Sequence, residues 1–434
     1  MTTTSITFAA CAVVIFGIFT TSQAFLLSDD VTLRPHVPKL PQFSQYGRSM
    51  VLVGGNQYDN NTELHETIIK LAGGKQFAKI GIITAASYDP LDSYNYYHDI
   101  FLQYGALQVN RILLDVNHTA SQGGQALIDT IYAQTGFFFG GGDQERIIRS
   151  LMGPYGDYSP ALIALHQMYD SGAVIAGTSA GCSCQTAQFM IEGGYSYDTL
   201  VFGSYADIDP MIPPDIEPNI YLTSGGLGFM KGYVLDSHFA QRGREGRMIR
   251  LLADTRMLGK GTNRAIGVDE NTALVVTHAD TNQSSGLVIG DAGVTLIDLT
   301  HAQIHPSKHF NISGVYVTYL TKGDVIRLTD QTVTFASTKT PMRGHERNDA
   351  VFQSNDVFAK ADIPLKPEFV RIATSTFDAR RGRTTHGFSK ETGPRFRVEM
   401  SASANDAVGF VERNASFATD ITSYKNLRVS IYEG

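Results

Sequence analysis

Cysteine is scarce in this sequence. The 434 residues include three, and Cys11 lies in an N-terminal apolar stretch that reads as a cleaved leader, leaving Cys182 and Cys184. Residues two apart on a helix point away from each other, so the pair is no disulfide framework. Basic blocks are missing too, and with a formal net charge of −7 nucleic-acid binding has no electrostatic support. Beyond the N-terminus no apolar run approaches the length of a membrane span. There is no internal repeat and no low-complexity tract. What is present is an ordinary globular composition, 43% hydrophobic and 18% charged, in a chain long enough for a large core.

The first residues, "MTTTSITFAACAVVIFGIFTTSQA", carry an apolar stretch from Ile6 to Phe19 and small residues at Ser22 and Ala24. They read as a secretory signal cleaved after Ala24, although no Lys or Arg precedes the apolar stretch. The expected organisation is a signal peptide over 1–24, a leader over 25–48, a main domain over 49–335 and a β-rich extension over 336–434. The expected location is extracellular, with no stable membrane span after cleavage. Sequons at Asn60, Asn117, Asn282, Asn311 and Asn414 fit a secreted glycoprotein. A homodimer is compatible with the sequence, which does not decide the oligomeric state.

From Ser49 the pattern is rhythmic. Apolar runs such as "SMVLVGGN", "AKIGIITAA", "LQVNRILL", "FFFGGG" and "AVIAG" alternate with helical stretches such as "TELHETIIKLAGG", "PLDSYNYYHDIFLQYG" and "ALIALHQMYDSG". Such alternation with short connections predicts an α/β fold, a doubly wound and mainly parallel sheet with helices on both faces. Ligand sites in such sheets lie at the carboxyl ends of strands. Glycine clusters mark three of those ends, "GGN" at 54–56, "GGGDQ" at 140–144 and "GTSAG" at 177–181. After about Ser337, "EFVRIATSTF", "RFRVEMSA", "AVGFVERN" and "LRVSIYEG" read as short strands of a small C-terminal β appendage.

Ser179 occupies the centre of a G-x-S-x-G frame. A serine on a sharp strand-to-helix turn exposes its hydroxyl, and the N–H of the next residue, Ala180, can face an oxyanion. The bland alternative is that Gly177 and Gly181 only permit close helix–sheet packing. Cys182 and Cys184 lie past the turn, where a packed helix buries them and leaves the thiols inert. A serine needs a base, and the base an orienting acid. His238 follows "GYVLD" at another strand end. Asp269 and Glu270 sit at a turn between apolar runs, with Asp198 and Glu192 as rivals; spacing alone does not choose among them. Arg242, Arg244 and Arg247 near His238 are either a solvated face or a carboxylate-binding cluster. His301, His305 and His309 have helical spacing, but Pro306 interrupts it, and no metal site is expected. "GGGDQ" lacks the lysine of a phosphate loop.

Together, "VLVGGN", "FFFGGGDQERI", "AGTSAG", "GLGFMKGYVLDSHFAQRGREGRM", "RAIGVDENTALVV" and "GLVIGDAGVTLID" resemble, in that order, the cyanophycinases and their relatives the aspartyl dipeptidases. The resemblance implies a fold similar to class I glutamine amidotransferases and a serine peptidase without metal or organic cofactor. It implies Ser179 as nucleophile, His238 as base and Glu270 as acid, with Asp198 in reserve. It implies N–H groups of Gly142 and Ala180 as the oxyanion hole, and Gln144, Asp236, Arg242, Arg244 and Arg247 as substrate-binding residues. The expected activity is that of a secreted exopeptidase hydrolysing cyanophycin, or related β-aspartyl peptides, to β-Asp-Arg-type dipeptides. Hydrolysis of other acidic peptides, or a catalytically silent binding protein on the same fold, are the alternatives. The chain departs from the pattern at Ser237, where the family commonly has Gln. It has no clear match over Tyr195–Ser224, a stretch expected to shape the pocket.

Overall fold

A computed structural model describes residues 45–119, 124–153, 155–209, 216–361 and 366–434. The expected signal peptide and all but the last four residues of the leader lie outside the described residues.

The apolar runs form β1 (Met50–Val53), β2 (Lys79–Ile83), β3 (Gln108–Arg111), β4 (Gly136–Phe139) and β5 (Val174–Thr178). They pair in parallel in the order β1-β5-β4-β2-β3. Short apolar strands need helices over both faces, and the two-residue alternation divides the side chains between them. Val51, Val53, Ile80, Ile82 and Phe138 cluster with Leu64 and Ile68 of α1 (Thr62–Leu71) and Phe101 of α2 (Pro90–Gln103). Met50, Leu52, Ile83, Phe137 and Phe139 cluster instead with α3 (Gln125–Tyr132), α4 (Gln144–Leu151) and α5 (Pro160–Asp170). The helix starts are capped by side chains of Asp89, Asp143 and Ser159, each accepting a free N–H of the first turn.

Beyond β1 the sheet continues antiparallel through Thr272–Thr277, Ser285–Gly290, Val325–Arg327 and Thr332–Thr334, nine strands in all. A second sheet of ten strands runs from Val234–Asp236 through Arg264–Val268, Gly293–Asp298 and Ile312–Thr321 to the long C-terminal strand Ile421–Glu433. The C-terminal strands therefore join the same sheet as the strand that precedes His238. Val234, Phe239 and Ala265 share one buried cluster with Phe369, Phe396 and Tyr424 of the extension.

One expected strand is a helix. Within "EFVRIATSTF", Glu368–Ser375 is α-helical and buries Phe369, Val370, Ile372 and Ala373. Its aromatic and β-branched content suggests a strand, but burial of one helical stripe against the sheet overrides that preference. The strands expected in "RFRVEMSA", "AVGFVERN" and "LRVSIYEG" are present.

Because β1, β5 and β4 are parallel neighbours in the middle of the sheet, the glycine turns that follow them converge at its carboxyl-terminal end. The strand Val234–Asp236 and the turn after Arg264–Val268 bring His238 and Glu270 to the same place.

Candidate active site

Ser179 sits between β5 and a single helical turn, Ala180–Ser183, with φ 55 and ψ −117. The glycines around it answer to contact. A Cβ on Gly177 would meet the Gly181 carbonyl oxygen at 2.0 Å, and one on Gly181 would meet the Phe139 oxygen at 2.2 Å. The Ser179 N–H donates to the Val53 carbonyl at 3.1 Å, tying the turn to β1.

His238 Nε2 lies 2.8 Å from Ser179 Oγ, and its Nδ1 lies 2.6 Å from Glu270 Oε1. The structure thus brings Ser179, His238 and Glu270 into one hydrogen-bonded line. His238 itself has φ 47, and its N–H donates to the Gly54 carbonyl at 2.7 Å. Asn56 and Asn271, beside them, also have positive φ, 44 and 48. Four non-glycine residues in the left-handed region at one locus is costly backbone, of the kind that persists where the surroundings enforce it.

Burial pushes the His238 pKa down, and the charges of Arg242 and Arg244 act the same way, against the opposing pull of Glu270. The imidazole is therefore biased towards its neutral, proton-accepting form. For Glu270, burial would raise the carboxyl. Hydrogen bonds from Asn56 and His238, with the nearby positive charges, reverse this and hold it below the usual range. A carboxylate so held fixes the imidazole with Nδ1 protonated and Nε2 free to accept.

The rival acids lie elsewhere. Asp269 is fully buried and accepts hydrogen bonds from Ala240 N–H at 2.9 Å, Gly293 N–H at 3.2 Å and the Tyr319 hydroxyl at 2.8 Å. It knits the loops that carry His238 and Glu270 without touching the imidazole. Asp198 stands on the helix Ser196–Phe202, where burial and then Glu217 raise its carboxyl. Glu192 groups with Asp143 and Glu145, with carboxylate oxygens within 4.8 Å of one another. Burial and then its two acidic neighbours push Glu192 up to about 7. This is the grouping among the described residues whose spacing would admit a cation, and it lies apart from the three histidines with helical spacing. His305, for example, bonds Ser313 Oγ through Nε2 at 2.7 Å.

Gly142 has φ 137, and a Cβ there would meet the Ala86 carbonyl oxygen at 2.3 Å. Among the described residues, the N–H groups of Gly142 and Ala180 have no protein acceptor. The Gly140–Gly142 turn is braced by side chains that sequence reasoning did not single out. Thr178 Oγ1 donates to Gln57 Oε1 at 2.5 Å, and burial raises the pKa of the Tyr97 hydroxyl against the opposing influence of Gly141 and Gln57 beside it. Both are ordinary polar residues in sequence, and only the convergence of the strand ends reveals them.

The substrate-binding residues expected from the sequence separate into two groups. Arg242 and Arg244 line a cavity of about 290 Å³ with Gly194, Tyr195, Glu217, Gln241, Glu270 and Lys360. Asp236 and Arg247 do not line it. Arg247 is 2% exposed and holds Asp236 through Nε at 3.1 Å and Nη2 at 2.6 Å. Arg244 Nη1 adds a bond to Asp236 at 2.9 Å. Burial would raise Asp236, but the charges of Arg247 and Arg244 outweigh it and keep the carboxyl low. A guanidinium already satisfied by a buried carboxylate is no free clamp, so Arg247 and Asp236 support the wall from behind. Gln144 Nε2 donates to the Ile191 carbonyl at 3.0 Å, tying α4 to the strand Met190–Glu192. Ser237 is buried, with its Oγ 3.3 Å from Ser183 Oγ. Tyr195 and Glu217, from the stretch without a match, are on the cavity wall as expected. Cys182 and Cys184 are buried free thiols, and burial pushes both well above the usual thiol range.

The sequence profile described as Peptidase family S51 matches residues 50–283, more than half of the chain. A cyanophycinase of Thermosynechococcus vestitus is 27% identical over 292 residues, covering 65% of this chain and 79% of that protein. One of Trichormus variabilis is 29% identical over 300 residues, covering 67% and 89%. Among solved structures, a peptidase from an acI-B1 Actinobacterium aligns with a TM-score of 0.44 at 18% identity, over 66% of this chain and 100% of that one.

Proposed function

The chain belongs to peptidase family S51 and is a serine-type peptidase, and we propose that it is a secreted exopeptidase that hydrolyses cyanophycin or related β-aspartyl peptides, releasing β-Asp-Arg-type dipeptides. The observation that carries the catalytic part is the line Ser179–His238–Glu270, with contacts of 2.8 and 2.6 Å. Ser179 Oγ attacks the scissile carbonyl as His238 Nε2 takes its proton, and Glu270 stabilises the imidazolium through Nδ1–H. The oxyanion of the tetrahedral intermediate is received by the N–H groups of Gly142 and Ala180. Their lack of protein acceptors supports that role. His238 then protonates the leaving amine, and water, activated by the same imidazole, releases the acyl group and restores the serine.

The substrate class rests on the cyanophycinase relatives and on the cavity beside Glu270, where Arg242 and Arg244 supply positive charge. Free carboxylates of a β-linked aspartyl peptide suit such a wall. Secretion rests on the apolar N-terminal stretch and on the sequons, of which Asn60, Asn117, Asn282 and Asn414 are exposed.

The test is incubation of the chain lacking residues 1–24 with insoluble cyanophycin, followed by mass analysis of the soluble products. Release of β-Asp-Arg is expected. A folded protein that releases none, yet cleaves other acidic peptides, would overturn the substrate reading and leave the peptidase class intact.

A further inference from the structure

The cavity beside Glu270 is completed by a residue from outside the family-matched portion of the chain, residues 50–283. Lys360 belongs to the C-terminal extension. Its segment is fixed at two points: Val357 N–H donates to the Phe388 carbonyl at 2.8 Å, and Ala361 N–H donates to the Gln241 carbonyl at 3.1 Å. Between them the chain is pressed onto the turn that follows His238. A Cβ on Gly243 would meet the Phe358 carbonyl oxygen at 2.1 Å, and one on Gly246 would meet the Phe358 ring at 2.9 Å. So held, Lys360 sets its Nζ 4.9 Å from the centre of the Tyr195 ring, a cation–π contact between two residues of the cavity lining.

The charges in the cavity are unequally committed. Glu270 is held by His238, and Arg244 by Asp236 and the Ser237 carbonyl. Glu217, also on the lining, faces Tyr195 and raises the pKa of its hydroxyl. Among the described residues, no carboxylate forms an ion pair with Arg242 or Lys360. Arg242 and Lys360, cations in no ion pair among the described residues, line this cavity with Glu217 and Glu270, beside the Ser–His–Glu line, and outnumber with Arg244 the carboxylates there, so the cavity offers a seat for an anion.

We propose that Lys360 and Arg242 together bind a free carboxylate of the β-aspartyl substrate, so that the C-terminal extension supplies part of the specificity of the active site. This rests on the function proposed above and names the group that its cavity reads. Lys360 contributes a point charge on a flexible stem, and Arg242 a planar fork; a carboxylate with two oxygens can meet both.

The experiment uses the chain without residues 1–24 and a short soluble peptide of β-Asp-Arg units, beside the same peptide with its free α-carboxylates amidated. Lys360→Met should raise KM for the unmodified peptide about tenfold, the scale of one charge-assisted hydrogen bond, with kcat within about twofold. Lys360→Arg should recover most of the loss. Amidation should raise KM of the wild type similarly, and Lys360→Met should then add nothing. Equal unfolding temperatures for wild type and both variants would confine the effect to binding. The proposal is overturned if Lys360→Met leaves KM for the unmodified peptide unchanged, or if its effect persists in full on the amidated one. Failure of the underlying function looks different: the wild type itself would neither cleave nor bind the unmodified peptide, and the carboxylate seat would fall with it.

Discussion

The backbone of Gly55 lies so close to the His238 imidazole that a Cβ on Gly55 would fall 2.3 Å from its Nε2 and Cε1. The glycine also has φ +99, a conformation costly for any other residue. Gly55→Ala is therefore expected to push the ring off Ser179. A displacement near 1 Å costs about a hundredfold in turnover. Steady-state kinetics beside a thermal melt check this; wild-type kcat in the folded variant would refute it.

Glu270 is proposed as the acid because it meets His238 Nδ1 at 2.6 Å, and among the described residues no such contact joins Asp198 to the imidazole. Glu270→Gln should lower kcat by about 10²–10⁴, the range for losing the residue that sets the tautomer of the base. Asp198→Asn should stay within about threefold of wild type, the usual consequence of a change away from the reacting groups. The reverse ranking would return the role to Asp198.

The pH profile follows from the His238 pKa, which burial, then the arginine charges, hold below its ordinary value of 6.5. Protonated imidazole cannot accept the serine proton, so kcat/KM should rise with pH through a midpoint below 6.5 and be level by neutrality. Arg242→Gln removes a charge that disfavours the imidazolium and should move this limb upward. A limb centred well above 6.5 in the wild type would contradict the reading of the site.

Asp236 and Arg247 are expected to govern stability more than substrate affinity. Asp236→Asn leaves the guanidinium buried without its counter-charge, a loss of about 3–5 kcal/mol in denaturant unfolding. The sign with pH is fixed by the lowered carboxyl. Its contribution is present above the unfolded value, about 3.9, and is lost as the pH falls through the lower folded value. An unaltered unfolding midpoint would show that the pair contributes nothing.

Much of this architecture is legible in the sequence because it is local. Strand and helix alternate with strong periodicity, and glycine marks the strand ends where Ser179 and its neighbours stand. His238 and Glu270 are legible as strand-end residues, though choosing Glu270 over Asp269 takes the family resemblance or the contact itself. What the sequence hides depends on partners distant along the chain. Arg247 reads as a solvated or carboxylate-binding arginine, and through the resemblance as a substrate-binding one, until Asp236 is seen to engage it in the interior. Glu368–Ser375 reads as a strand until the sheet takes one helical stripe. Gln57 and Tyr97 carry no local signal, since each matters only where several strand ends meet. Lys360 is legible least of all, lying about 120 residues past His238 in a segment whose placement depends on the second sheet.

The most direct test of the central claim is the hydrolysis rate of Ser179→Ala against wild type on cyanophycin, with folding of both verified by melting temperature. The account predicts a loss of at least about 10³-fold, as expected when the nucleophile of such a triad is removed. A rate within about tenfold of wild type would contradict it, because chemistry that survives the loss of Ser179 Oγ does not pass through an acyl-enzyme on that residue.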